Sequence, residues 1–234
     1  MPNPPEIKSR SQDLRTQLNE ALISVFQLEE RDYFGTLSFS QILKLKQVLA
    51  RIHDTVTLQL TFELVNWISQ KFGFNPDQKA ALWKQVDDQS ANSSGFDLSW
   101  NNPRIIAEVK GCIPVNGGHA FGAAQVKGMT NDIRQMLGLP ALGKTKEQLS
   151  PRSKVLKPTN TTAIKLLALY DSPEVRKATA QWKQSVESQA WFKALTPSCS
   201  LEETSLDVRP DDPGKVYLIY LTLSHPGCRG DTTQ

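Results

Sequence analysis

The sequence predicts an α/β fold, a mixed β-sheet flanked by helices with a helical amino-terminal region, and three features carry that prediction. Apolar residues recur at helical spacing through the first third of the chain. A polar, small-residue stretch at 89–95 then marks a change of character. Beyond it, short apolar runs alternate with amphipathic stretches. With 39% apolar residues, five Trp and nine Phe among 234 residues, the chain has ample material for a buried core.

Taken in order, Leu14, Leu18, Ala21, Leu22 and Val25 set out a first helix, Phe39, Ile42 and Leu43 a second, and Leu60, Leu64, Trp67 and Ile68 a third. These helices are expected to pack together. Gly35 marks a break and Gly73 a helix stop, after which a shorter helix covers 77–86. Strands follow at 96–100 and 104–112, and the turn signal Asn101-Asn102-Pro103 joins them as an antiparallel hairpin. A loop at 114–118 leads to a helix over 121–137 that presents Val126, Met129, Ile133, Met136 and Leu137 on one face. Residues 139–160 read as linker and 163–170 as a strand. Ser172-Pro173-Glu174 opens a helix to about Leu195, since Ser caps and Pro suits the first turn. A last strand spans 215–224. The expected organisation is a helical region at 1–58, a core at 59–225 and a tail at 226–234.

No stretch approaches the roughly 20 apolar residues of a membrane span, and the amino terminus lacks the apolar run of a signal peptide. The expectation is therefore a cytoplasmic protein with no membrane partner. Cys112, Cys199 and Cys228 are widely spaced and form no zinc pattern, so reduced thiols are expected. The net charge of +3 is unevenly spread. Between Arg104 and Lys157 nine basic residues face three acidic ones, which makes that segment +6 and leaves −3 elsewhere.

An acid, any residue, then Lys occurs three times, at Glu6-Ile-Lys8, Asp77-Gln-Lys79 and Glu108-Val-Lys110. Only the third ends an apolar, β-branched run, where the strand period of two turns Glu108 and Lys110 to one side and Val109 to the other. The hairpin is expected to bring Asp97 beside Glu108. Two adjacent carboxylates repel, and a hard cation with oxygen ligands relieves that repulsion, so Mg2+ is the natural occupant. A plain Glu108–Lys110 salt bridge is the competing reading. The histidines His53, His119 and His225 show no partnering pattern, and there is no nucleophile elbow or Walker loop.

Gly95-Phe96-Asp97 followed by Ile106-Ala107-Glu108-Val109-Lys110-Gly111 resembles the metal motif of the PD-(D/E)XK nuclease superfamily, which includes many type II restriction endonucleases. Phe96 stands where that family has Pro. The resemblance covers roughly residues 60 to 225 and implies a restriction-endonuclease-like core. It further implies that Asp97 and Glu108 ligate Mg2+, and that Lys110 orients or activates the attacking water and offsets charge on the transition state. Glu63 is the candidate for a further acid on the preceding helix, and Gln125 for an auxiliary polar residue on the following one.

The function expected from the resemblance is a Mg2+-dependent, site-specific double-stranded DNA endonuclease of the type II restriction kind, acting as a homodimer. Its functional counterpart would be a cognate DNA methyltransferase in the same system. The alternatives are a repair or recombination nuclease of the same fold, and a nucleic-acid-binding module without catalysis. Lys144, Lys146, Arg152, Lys154 and Lys157 are candidates for phosphate contacts, and Asn116, Gln125 and Asn160 for base reading.

Overall fold

The computed structural model describes residues 10–88, 95–115, 118–143, 162–195 and 199–223. The chain divides into two compact units, Met1–Ile52 and His53–Gln234. That boundary falls earlier than the expected one at 58–59 and lies within a helix.

In the first unit, α1 (Arg10–Phe26) is followed by the single turn α2 (Tyr33–Thr36). Asp32 ties the two together. Its carboxylate caps α2 by accepting the Gly35 N–H at 3.0 Å and takes hydrogen bonds from Arg15 and from Asn19 Nδ2. The break expected at Gly35 is therefore a one-turn helix held by its cap. The next helix, α3 (Phe39–Phe72), runs for 34 residues. Two separate helices were expected here, at 39–43 and 60–68. The intervening stretch contains neither Gly nor Pro, so nothing in it stops the helix. Gly73 ends it with a φ of +66°, a conformation glycine adopts without steric cost.

The second unit continues through α4 (Pro76–Asp87), which Asn75 and Gln78 open as a reciprocal capping box. Strands β1 (Leu98–Asn101) and β2 (Arg104–Lys110) form the expected antiparallel hairpin. Then come α5 (Ala123–Met136), β3 (Ile164–Tyr170), α6 (Pro173–Glu187), the short α7 (Ala190–Lys193), β4 (Ser200–Glu203) and β5 (Lys215–Leu221). The helix expected to reach Leu195 stops at Glu187 and restarts at Ala190. The edge strand β4 was not expected, because four residues with a single buried side chain leave almost no periodic signal.

The five strands lie in the order β1-β2-β3-β5-β4, antiparallel at β1 and parallel elsewhere. Successive parallel strands need crossovers, and β2-α5-β3 and β3-α6-β5 place their helices on the same face. One core layer holds Ile106, Met129, Ile133, Leu167, Trp182 and Leu218; the other holds Leu60, Leu64, Leu82, Ala107, Leu166 and Ile219. The sheet is thus covered by α5 and α6 on one side and by the second half of α3 with α4 on the other. Burial on both faces explains the near-continuous apolar runs of β3 and β5.

Candidate active site

Strand alternation decides which way the motif points. Ile105, Ala107 and Val109 join the layer beneath α3 and α4, whereas Ile106 joins the layer beneath α5 and α6. Glu108 and Lys110 share the parity of Ile106 and therefore face α5. Glu108 is 2% exposed, which makes it one of the few charged residues in the interior.

Leu98 pairs with Ala107, so the same register sets Asp97 opposite Glu108 on the same face. Asp97 lies one residue before β1, and its Oδ2 accepts the Val109 N–H at 2.8 Å. A carboxylate thus occupies the place where the β1–β2 ladder would have continued. That bond fixes Asp97 against β2 and engages one of its two oxygens.

The Lys110 ammonium stands 3.3 Å from Glu108 Oε2 and 2.9 Å from Asp132 Oδ2. Burial acts to depress the lysine's pKa, but Glu108, Asp132 and Asp97 together outweigh it and hold the group well above its ordinary value. Lys110 is accordingly a fixed cation. Gly111, immediately after it, lets α3 approach the end of β2, since a Cβ there would stand 3.1 Å from Thr57 Oγ1 and 3.2 Å from Val56 Cγ1.

Asp132 is the residue that sequence reasoning missed. It neighbours buried Ile133 on α5, and its side chain is 14% exposed. An acid bordering the buried stripe of the helix that follows the motif was the available signal. It had been counted only as one of three acids in a basic segment.

The remaining candidates are placed elsewhere or otherwise engaged. Glu63 lies on α3, whose buried stripe packs on the sheet face opposite to Glu108, and it accepts a hydrogen bond from Asn66 at 3.3 Å. One turn on, Trp67 Nε1 donates to Leu206 O just past β4, at the far edge of the sheet from Asp97. Gln125 spends both ends of its amide on the backbone: Oε1 accepts the Gly122 N–H at 2.8 Å and Nε2 donates to Ile113 O at 3.0 Å. It clasps the start of α5 to the segment after β2. His119 is exposed in its loop, with Nδ1 3.1 Å from Lys177 Nζ. Asn116, Lys144, Lys146, Arg152, Lys154, Lys157 and Asn160 lie outside the described residues.

The donor set suits a hard cation. Glu108 and Asp132 contact the Lys110 ammonium and Asp97 acts on it from farther off, an excess of negative charge that a divalent ion would balance. Among the described residues no group of three or more His, Cys, Asp or Glu side chains is placed to hold a metal ion. Mg2+ does not require one, as it commonly binds one or two carboxylates together with water and substrate phosphate. In comparisons with known proteins, no family model, no curated protein and no solved structure matches this chain.

Proposed function

We propose that this chain is a Mg2+-dependent DNA endonuclease of the site-specific, type II restriction kind. One observation carries the reading: Asp97, Glu108 and Lys110 meet on one face at the end of an interior strand of a mixed sheet. Asp97 and Glu108 would hold the metal. When bound, Mg2+ supplies Lewis acidity toward the phosphate and an activated water as nucleophile. Lys110, beside Glu108 and Asp132, would serve as a positive charge toward the phosphoryl oxygens. Asp97, held to β2 through the Val109 N–H on Oδ2, would use its other oxygen for the metal in this reading. No covalent intermediate is required.

A second reading has an observation of its own. The Lys110 ammonium bridges Glu108 and Asp132, a salt-bridge arrangement that a nucleic-acid-binding module could keep for architecture alone. Incubating plasmid DNA with the purified protein, in Mg2+ or in chelator, separates the two. The nuclease reading expects Mg2+-dependent cleavage that is lost in Glu108→Ala and Lys110→Ala. A discrete fragment pattern supports site specificity, and a smear points to a structure-directed repair or recombination nuclease. No cutting by the wild type, or equal cutting by the variants, removes the assignment.

A further inference from the structure

Glycine is a poor residue for the interior of a helix. Relative to alanine it disfavours the helical state about fivefold, because it has more backbone freedom to lose and no side chain to pack. A glycine in such a place is expected to have a local reason, commonly a neighbour that a methyl group would strike. Gly128 is the sixth of the 14 residues of α5, away from both ends, and its φ lies outside the left-handed region. A Cβ built there meets no described atom within 4 Å. Gly111 makes the contrast, since its bare Cα is what lets Val56 and Thr57 of α3 come close. Packing among the described residues does not account for Gly128, and α5 would be more stable with alanine in its place.

The position of Gly128 says what it leaves open. At about 100° per residue, Gln125, Gly128 and Asp132 fall within an arc of about 60° on one flank of α5, beside the buried face that carries Met129, Ile133 and Met136. Gln125 Nε2 donates to Ile113 O at 3.0 Å, and Asp132 Oδ2 stands 2.9 Å from the Lys110 ammonium. Both side chains thus reach from that flank to the chain between Lys110 and Ile113. Gly128 lies between them along the helix, roughly 4.5 Å past Gln125 and 6 Å short of Asp132. The flank is therefore bare helix backbone at the one position between two side chains that touch the end of β2. Lys127, the preceding residue, is exposed and brings a positive charge to the border of this opening.

We infer that Gly128 is an access residue for the candidate site: its missing side chain leaves room for one strand of duplex DNA to lie against α5 while the scissile phosphate reaches Glu108 and Lys110. A sugar-phosphate chain is bulky, and it comes up to a buried carboxylate such as Glu108 only where the adjoining protein surface is low. The inference rests on the nuclease reading and adds to it the side from which the strand arrives.

Two substitutions in the full chain separate access from structure. Gly128→Ala is expected to raise the melting temperature by about 2–4 °C, and Gly128→Leu at least to match the wild type, because both introduce strong helix formers into open space. Against that gain, Gly128→Leu is expected to weaken binding of a fluorescein-labelled DNA duplex, read by anisotropy in chelator, by about tenfold or more. Mg2+-dependent plasmid cleavage at subsaturating DNA falls at least as far. Hydrolysis of bis(p-nitrophenyl) phosphate, a diester too small to need the surface of α5, is expected to fall far less. Loss of stability in either variant overturns the inference, by showing that the chain itself packs on Gly128. An equal fall with the small diester overturns it too, by placing the damage at the reacting groups. So does a Gly128→Leu protein that binds and cuts DNA like the wild type, although the nuclease reading then stands. A wild type that hydrolyses neither plasmid nor small diester removes that reading and this inference with it.

Discussion

Replacing Lys110 by Met removes the only ammonium described between Glu108 and Asp132, and the consequence for stability does not depend on what the protein does. At an effective dielectric of about 20, opposite charges about 3 Å apart attract by roughly 5 kcal/mol before desolvation is subtracted. The two contacts here are 3.3 and 2.9 Å. Removing one member of a buried ion cluster costs about 3–5 kcal/mol net, because the carboxylates left behind are uncompensated. The lysine side chain is 25% exposed, so the low end of that range applies, about 3 kcal/mol. For a chain of this size that corresponds to a fall of about 6–12 °C in melting temperature. Urea denaturation at pH 7 and low salt measures it. The decisive comparison is with Asp132→Asn, which alone is expected to cost about 1–2 kcal/mol and in the Lys110→Met background close to nothing, since it then deletes an orphaned carboxylate. Strict additivity of the two substitutions, or a Lys110→Met protein as stable as wild type, would refute the ion cluster. Manganese or magnesium is expected to stabilise Lys110→Met more than wild type, because Glu108 and Asp132 then lack the ammonium that balances them.

Gly111→Ala is expected to lose about 1–3 kcal/mol in the same assay, as the new methyl group presses on Val56 and Thr57 of α3. Gln125→Ala is expected to cost about 1–2 kcal/mol through its two backbone hydrogen bonds, with metal-dependent cleavage retained; loss of cleavage at unchanged stability would return Gln125 to the site. Burial pushes the Cys199 thiol up to about 11 from an ordinary 9.0, against a smaller opposing pull from Lys165. Its contribution to stability is therefore fully present below pH 9 and is lost as pH rises toward 11. Cys199→Ala should flatten the alkaline limb of the stability profile in that window, and an unchanged slope would show that the thiol does not titrate there.

Most of the elements were legible because their causes are local. Ser172-Pro173 starts a helix whatever surrounds it, and Gly73 stops one. The β1–β2 hairpin follows from two apolar runs and the Asn102-Pro103 turn. Its register puts Asp97 opposite Glu108, and so the central pair of the candidate site was readable in advance. The length of α3 was misjudged because its middle is amphipathic without being buried, which periodicity alone reads as a gap.

The sequence by itself determined which charged groups this chain brings to its hairpin: Glu108 and Lys110 on one side of a buried strand, with Asp97 at the start of the partner strand, in an α/β setting. Only the tertiary structure decided which further residues join them. Asp132 enters because the parallel pairing of β2 with β3 brings the crossover helix α5 down on the face that carries Lys110. Glu63 stands on a helix whose buried stripe packs on the opposite face of the sheet. Both outcomes depend on which side of the sheet a helix covers, a non-local choice set by strand order and crossover hand that residue spacing within a helix does not encode.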